Sequence, residues 1–196
     1  MNYTTLTSTL AVYMVTPPAN ANFLVALPQI IVNAENRIYR DCDFISTRTT
    51  QTQALTPASR QLALSSFTDS GQTVRFKVVQ SVNVITPTAT LPDAGTRVPL
   101  QRVSRDFLDC VWPSSATSNG VPQYFTMLND QTMIFAPTPD AAYNVEIIGT
   151  FRPAPMGGAA GLPATTYLGD NYPDLFFNAC MVEAAGYQKN FGSASD

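Results

Sequence analysis

Residues 167–191 read YLGDNYPDLFFNACMVEAAGYQKNF and predict the helix around which the chain is organised. Asp170 or Asn171 can cap this helix, and Pro173 suits its first turn, where the missing N–H is not needed. From Leu175 to Ala185 nearly every residue is apolar or small. A surface helix typically shows one apolar stripe, whereas a helix that is apolar on almost every side must be covered on every side. We therefore expect another chain to cover part of it.

Three residues of this helix are candidates for contact with a second subunit. Phe176 and Phe177 lie on its crowded apolar surface, and Glu183 places a charge in the middle of it. A buried carboxylate needs a partner that satisfies it. We predict an ion pair or hydrogen bond from an arginine such as Arg37 or Arg40, with a contact to another subunit as the alternative.

Composition limits the class of protein. The chain has 196 residues, enough for one large domain or two small ones. Only 13% of residues are charged and the net charge is −3, which argues against a basic nucleic-acid reader. No secretion signal is predicted, because the N-terminus lacks a basic region, and no apolar run reaches membrane-spanning length. The three cysteines, Cys42, Cys110 and Cys180, are predicted to be reduced and buried.

The chain offers little for catalysis. It contains no histidine, which removes most Ser–His, Cys–His and His–metal chemistry. Asp106 and Asp109 are predicted to cap a helix or to face solvent rather than to act as an acid–base pair. Gly157–Gly161 superficially suggests a dinucleotide loop, but the required strand and helix do not flank it. We predict a protein that is not an enzyme and that holds no metal and no cofactor.

Two helices are predicted near the N-terminus. The first spans residues 4–15, and Thr16-Pro17-Pro18 stops it because proline cannot continue the hydrogen-bond ladder. The main helix has Pro28 near its start. A core-facing stripe recurs in it at intervals of four: Ile30, Ala34, Ile38 and Cys42.

The opposite side of this main helix is predicted to be polar. Its members are Glu35, Asn36, Arg37 and Arg40. These residues form either a solvated surface or a face that makes salt bridges to a neighbouring subunit.

The middle of the chain is predicted to be rich in β-strands. Residues 44–60 suggest an extended arm or edge strand, and residues 72–85 a half-buried strand with Val74, Phe76 and Val78 on one face. Asn129-Asp130 is predicted to turn a hairpin, and residues 142–151 to form a further strand. Ser104 is a credible cap for a short helix near 104–112.

The sequence therefore predicts an α+β fold. Helices from residues 1–43 and 165–196 would pack as a bundle, with an antiparallel β-rich domain, a small sheet or barrel, inserted at 44–164. The Gly/Ala/Pro segment 153–164 would be a flexible linker.

Four stretches carry a family resemblance: LPQIIVNAENRIYRDCDF, VPLQRVSRDFLDCVWP, GVPQYFTMLNDQTMIFAPTPDAAYNVEI and YLGDNYPDLFFNACMVEAAGYQKNF. In this order and spacing the chain resembles, from about residue 23 to 195, the head-to-tail adaptor (connector) proteins of tailed bacteriophages, particularly short-tailed ones. The resemblance implies a non-enzymatic structural protein of the virion neck or tail, made in the host cytoplasm.

The resemblance also implies partners. Such adaptors form a homo-oligomeric ring, usually of twelve subunits, between the portal protein and the tail nozzle, without a membrane. Double-stranded DNA passes through the channel without sequence-specific binding, and a weakly acidic chain would not hold phosphates tightly. The residues predicted for the subunit interface are Glu35, Arg37, Arg40, Phe176, Phe177 and Glu183.

Two other functions are compatible with the composition. A β-rich module of a tail spike or fibre would bind a cell-surface glycan, and it would expose aromatic residues on its sheet. A carboxylate-based glycosidase would depend on Asp106 or Asp109.

Overall fold

Five α-helices and twelve β-strands occur in the parts of the chain that the computed structural model describes, residues 1–14, 21–64, 67–69, 72–116 and 118–192. Side chains are described for these residues except 67–69, 72–74 and 188–192. The predicted α+β class is confirmed. The chain divides into a helical unit, Met1–Ser46, Thr68–Thr73 and Pro153–Asp196, and a β unit, Thr47–Phe67 and Val74–Arg152.

The helices begin and end at residues suited to those positions. They are α1 (Tyr3–Tyr13), α2 (Ala21–Asp41), α3 (Arg105–Val111), α4 (Tyr167–Asn171) and α5 (Pro173–Gly192), with a 3₁₀ turn at Ile45–Thr47. The Asn2 side chain accepts the Thr5 N–H at 2.8 Å and so caps α1. The predicted cap of α3 is confirmed, since Ser104 accepts the Phe107 N–H at 3.3 Å.

Helix α2 begins earlier than predicted. Pro28 lies inside it rather than near its start, although an interior proline costs about 3 kcal/mol. Phe23 and Leu27 precede the proline and are each only 2% exposed. Their burial continues the apolar stripe through the proline and favours the longer helix. The predicted stop at Thr16-Pro17-Pro18 lies outside the described residues.

Two four-stranded sheets make up most of the β unit. The first has the order β1-β12-β5-β6 and is antiparallel throughout. The second has the order β2-β10-β9-β7, with β7 parallel to β9 and the other pairs antiparallel. Two short pairs, β3-β4 and β8-β11, complete the set. The strands are β1 (Arg48–Ala54), β2 (Gln61–Ala63), β3 (Phe67–Asp69), β4 (Gln72–Val74), β5 (Phe76–Thr86), β6 (Thr96–Pro99), β7 (Gln101–Arg102), β8 (Asn119–Gly120), β9 (Tyr124–Met127), β10 (Thr132–Ala136), β11 (Thr138–Pro139) and β12 (Asn144–Phe151).

The two large sheets share one hydrophobic core. Val84 and Ile147 of the first sheet and Phe135 of the second are all 0% exposed and belong to the same cluster. Each sheet ends in two edge strands, so the described strands form open sheets and not a barrel. The predicted edge strand in residues 44–60 is confirmed as β1, and the predicted hairpin as β9 and β10.

Strand β5 departs from simple alternation. Phe76 is 9% exposed but Val78 is 56% exposed, so the prediction that they share a face is wrong. The register between β5 and β12 shifts twice, once on each side of the Val78–Thr150 pair. Each bulge adds one residue and moves the following side chain to the other face of the sheet. Gly149 lies at one bulge, where a Cβ would collide with the Val78 carbonyl.

The segment 153–164 is not the predicted flexible linker. Ala154 and Met156 are 3% and 1% exposed, and the segment belongs to the helical unit. The Ala164 carbonyl accepts the Tyr3 N–H at 2.8 Å. A Cβ at Gly158 would collide with the Tyr3 ring, so glycine allows this close approach.

An ion pair between a buried carboxylate and a partly exposed arginine lies on the first sheet and gives a testable prediction. Both oxygens of Glu146 accept bonds from Arg97, at 2.9 and 3.1 Å, and Asn83 donates to Glu146 at 3.0 Å. These bonds, chiefly that of Arg97, lower the pKa of Glu146. Glu146→Gln is expected to reduce the free energy of unfolding at pH 7 by about 2 kcal/mol, because it removes charged hydrogen bonds of a buried side chain.

The difference in the free energy of unfolding between the wild type and Glu146→Gln should become smaller as the pH falls. Because the folded-state pKa is lowered from 4.5, the contribution is present above that value and is lost as the pH falls through the folded-state pKa. Urea unfolding from pH 7 to pH 3 should show the two proteins converging. Asp93→Asn is the matched control, since Asp93 binds the same arginine from a fully exposed position. An equal loss in both variants would contradict the assignment.

Candidate subunit interface

Helix α5 is covered on one side only over the residues whose side chains are described, 173–187. Phe176, Cys180 and Ala184 recur at intervals of four, and each is 0% exposed. They lie in the core of the helical unit together with Leu27 and Ile31 of α2. This buried stripe fixes which side of α5 faces inward.

The opposite side of α5 is apolar and open in the single chain. Leu175 and Val182, two turns apart, are 43% and 56% exposed. Asn178, Ala185 and Gly186 are also exposed. A Cβ added at Gly186 would meet no atom within 4 Å. These five residues are the outer face of α5, and none of the five is charged although all are exposed in the single chain.

Exposed tyrosines lie beside the start of α5. Tyr167 and Tyr172 are 37% and 43% exposed, and both rings contact Phe44, at centroid distances of 6.2 and 5.5 Å. Aromatic side chains that are part exposed and held by ring contacts are common at protein interfaces. They add to the apolar surface at this end of the helical unit.

The partner of Glu183 lies in the same chain. Arg37 donates to Glu183 across 2.9 Å, so the predicted arginine partner is confirmed. The Arg37 side chain is 48% exposed and that of Glu183 is 20% exposed. Arg40 bonds instead to Asp41 at 3.0 Å and is 72% exposed.

Glu35 does not belong to the predicted polar face. It is 1% exposed, and its two oxygens each lie 3.2 Å from the Met156 N–H that donates to them. Thr166 also donates to it, at 3.4 Å. The prediction was wrong because the 153–164 segment packs over α2 and brings a backbone N–H that needs an acceptor. Glu35 therefore holds this segment in place.

The two phenylalanines have different environments. Phe176 is 0% exposed and lies in the core of its own unit. Phe177 is half-buried, and its ring makes an edge contact with Tyr13 at 5.1 Å. Phe177 borders the surface, and its contact with another subunit stays a prediction.

Leu175 and Val182 are candidate interface residues that the sequence pattern did not single out. Their spacing of seven residues places them on one side of a helix. The stripe of Phe176, Cys180 and Ala184 lies on the other side. The spacing of residues along the helix separates these two stripes in the sequence, but it does not show which of the two is buried.

A second exposed apolar patch lies on the β unit. The rings of Phe107, Trp112 and Tyr124 contact one another at 5.5 to 6.4 Å. Phe107 and the neighbouring Val111 are 44% and 45% exposed. We call these four residues the aromatic patch. Large aromatic side chains that are both clustered and exposed are typical of contact sites between proteins.

Asp109, one of the two carboxylates considered for a glycosidase, is paired with two arginines. Asp109 accepts bonds from Arg105 at 3.0 Å and from Arg60 at 3.5 Å. Arg60 also donates to the Trp112 carbonyl at 2.9 Å. Asp109 therefore ties α3 to the start of β2.

The described residues offer neither a metal-binding cluster nor a membrane-spanning helix. They contain no group of three or more acidic, cysteine or histidine side chains placed to hold a metal ion. Over the same ranges, every helix is too short or too polar to pass through a lipid bilayer.

The three cysteines differ in exposure, and this gives a second testable prediction. Cys42 and Cys110 are exposed, so the prediction that all three are buried is wrong for two of them. Burial, with the nearby charges of Glu35 and Glu183, raises the pKa of the Cys180 thiol to about 12. Iodoacetamide at pH 8 should modify two cysteines in the native protein, because alkylation requires an accessible thiolate.

Mass spectrometry of the alkylated protein checks this expectation. The same chain in urea is the control and should take up three groups. Modification of Cys180 in the native protein, as fast as that of Cys42, would show that the core is not closed around α5.

A family model described as SU10 adaptor protein matches residues 1–196, the whole of the chain. No curated protein shows a matching sequence.

Proposed function

The chain belongs to the SU10 adaptor protein family, and from this membership we propose that it forms the ring joining the phage head to the tail. Membership of this family makes the chain a phage adaptor and a structural component of the virion. The ring would hold about twelve copies with cyclic symmetry. It would lie between the portal protein and the tail nozzle, as the resemblance to head-to-tail adaptors implies.

The observation that carries this proposal is the outer face of α5. Leu175 and Val182 are exposed on a long helix whose other side is buried at Phe176, Cys180 and Ala184. Burying exposed apolar surface contributes about 25 cal/mol per Å² to association. A protein whose role is assembly uses such a face, and a neighbouring copy supplies the cover.

The aromatic patch supports a second set of contacts. An adaptor must bind proteins other than its own copies, and these need a surface separate from the ring contacts. Phe107 and Val111 are exposed on the β unit, which does not contain α5. We propose that this patch contacts another head or tail protein.

The proposed role needs neither catalysis nor tight DNA binding. A channel that DNA slides through is served by a weakly acidic protein, and the net charge here is −3. Asp109→Asn should therefore change stability through its arginine partners and abolish no reaction.

The test is the mass and symmetry of the assembled protein. Native mass spectrometry of the full chain, alone and with portal protein, should show a closed ring of one mass. Particles from a phage lacking the gene should contain filled heads without tails, and supplying the chain should restore them. A chain that stays monomeric with every head and tail protein, and is absent from the neck of the particle, would overturn the proposal.

A further inference from the structure

Helix α2 carries a second exposed apolar stretch. Leu24 and Val25 are 51% and 82% exposed. Pro28 is exposed and Val32 is half-buried. Further along the helix the surface becomes polar, ending at Arg40, which is 72% exposed. Val25, Pro28, Val32 and Arg40 are the outer face of α2.

The outer faces of α2 and α5 lie on different sides of the helical unit. Each helix turns its buried stripe toward the shared core, which contains Leu27 and Ile31 of α2 and Phe176 and Cys180 of α5. When two helices pack against each other, their backs point away from each other. The helical unit therefore has exposed apolar side chains on two different sides.

A closed ring requires this kind of arrangement. Copies related by cyclic symmetry contact one another through two different surfaces, one on each side of the subunit. Resting on the ring proposed above, we infer that the outer face of α5 in one subunit packs against the outer face of α2 in the next. The occupant of each face is thus a second copy of this chain.

Charge determines the direction in which the two helices cross. Asp174 is exposed in the first turn of α5, and Arg40, whose Nε donates to Asp41 at 3.0 Å, has a 72% exposed side chain in the last turn of α2. An antiparallel arrangement brings these opposite charges together. Val182 lies eight residues after Asp174 in α5, and Val32 lies eight residues before Arg40 in α2. Both spacings correspond to a rise of about 12 Å, so Val182 meets Val32 when the two helices are antiparallel. A parallel arrangement would instead leave Asp174 beside the apolar half of α2.

Charge reversal tests the pairing in the full-length chain. Asp174→Arg and Arg40→Glu should each raise the concentration needed for ring assembly several-fold, measured by mass photometry. The double variant should return to the wild-type value, because it restores an opposite-charge pair. Arg75→Glu, which reverses an exposed cation of the β unit, is the control and should assemble normally. Two single effects that simply add in the double variant would overturn the pairing.

Cross-linking tests the same contact without relying on charge. Val32→Cys and Val182→Cys are introduced together in a chain whose exposed cysteines carry Cys42→Ser and Cys110→Ser. A short bismaleimide should then join the copies into a ladder of multimers up to the closed ring. Mixing the two single-cysteine chains should yield dimers and nothing longer.

The outcomes separate this inference from the function on which it rests. Rings that form but give no Val32–Val182 product overturn the inference and leave the ring in place. Cross-linking of Val182→Cys to itself also overturns it, because that product requires two α5 helices facing each other. Absence of any ring, with circular dichroism showing a folded chain, overturns the proposed function and the inference together.

Discussion

Val182→Asp is expected to abolish ring assembly and to leave the fold of the single chain intact. The side chain is 56% exposed on the outer face of α5, so in the single chain the new carboxylate remains in water. Valine and aspartate have similar helix propensities, and the helix itself should be little affected. In the ring the same carboxylate would be buried without a partner, which costs several kcal/mol at each contact.

Two measurements together check this expectation. Native mass spectrometry should show monomers only, while thermal unfolding followed by circular dichroism should match the wild type. Leu91→Asp is the matched control, because Leu91 is 66% exposed but lies on the β unit. Rings of normal mass from Val182→Asp would mean that the outer face of α5 stays open in the assembly.

Phe176→Ala should have the largest effect on stability. The side chain is among the largest that are fully buried, and it packs in the core of the helical unit. Removing a phenylalanine from a core leaves a cavity and costs about 3–5 kcal/mol. Since the free energy of unfolding of an ordinary domain is about 5–15 kcal/mol, this change would remove much of the stability of the chain.

The adjacent residue supplies the comparison. Leu175 precedes Phe176 in the same turn of the helix but is 43% exposed, and Leu175→Ala should cost far less in urea unfolding. The two changes should also differ in kind, because Leu175→Ala should weaken the proposed ring while Phe176→Ala should weaken the fold of the single chain. Equal losses of stability would show that both sides of α5 are packed alike in the single chain.

Local patterns predicted much of the β unit. The Ser104 cap of α3 and the hairpin of β9 and β10 follow from short-range rules, in which neighbouring residues satisfy one another. The bulges in β5 do not follow from such rules. Val78 looks like a core residue by alternation, and only the register with β12 moves it outward.

Tertiary contacts decided what the sequence could not. Pro28 looks like a helix start, yet packing on both sides of it extends α2 back to Ala21. Glu35 looks like a surface residue, yet the Met156 N–H makes it a buried acceptor. In both cases a distant segment determines the environment, and no local pattern records that segment.

The same limit applies to the candidate interface. The apolar excess of α5 was visible in the sequence, and the arginine partner of Glu183 was anticipated. The sequence could not show which side of α5 is buried in the single chain. That distinction separates Phe176, which the fold needs, from Val182, which the proposed ring needs.

The uncharged character of the outer face of α5 has a thermodynamic consequence for the virion. Contacts that bury apolar side chains gain strength on warming and have a negative heat-capacity change. Salt screens exposed charges and has little effect on such contacts. The proposed neck ring, if held mainly by Leu175 and Val182, should therefore loosen in the cold, and salt should weaken it only through exposed charge pairs such as Asp174 and Arg40. That combination suits a particle that meets widely different salt concentrations outside its host.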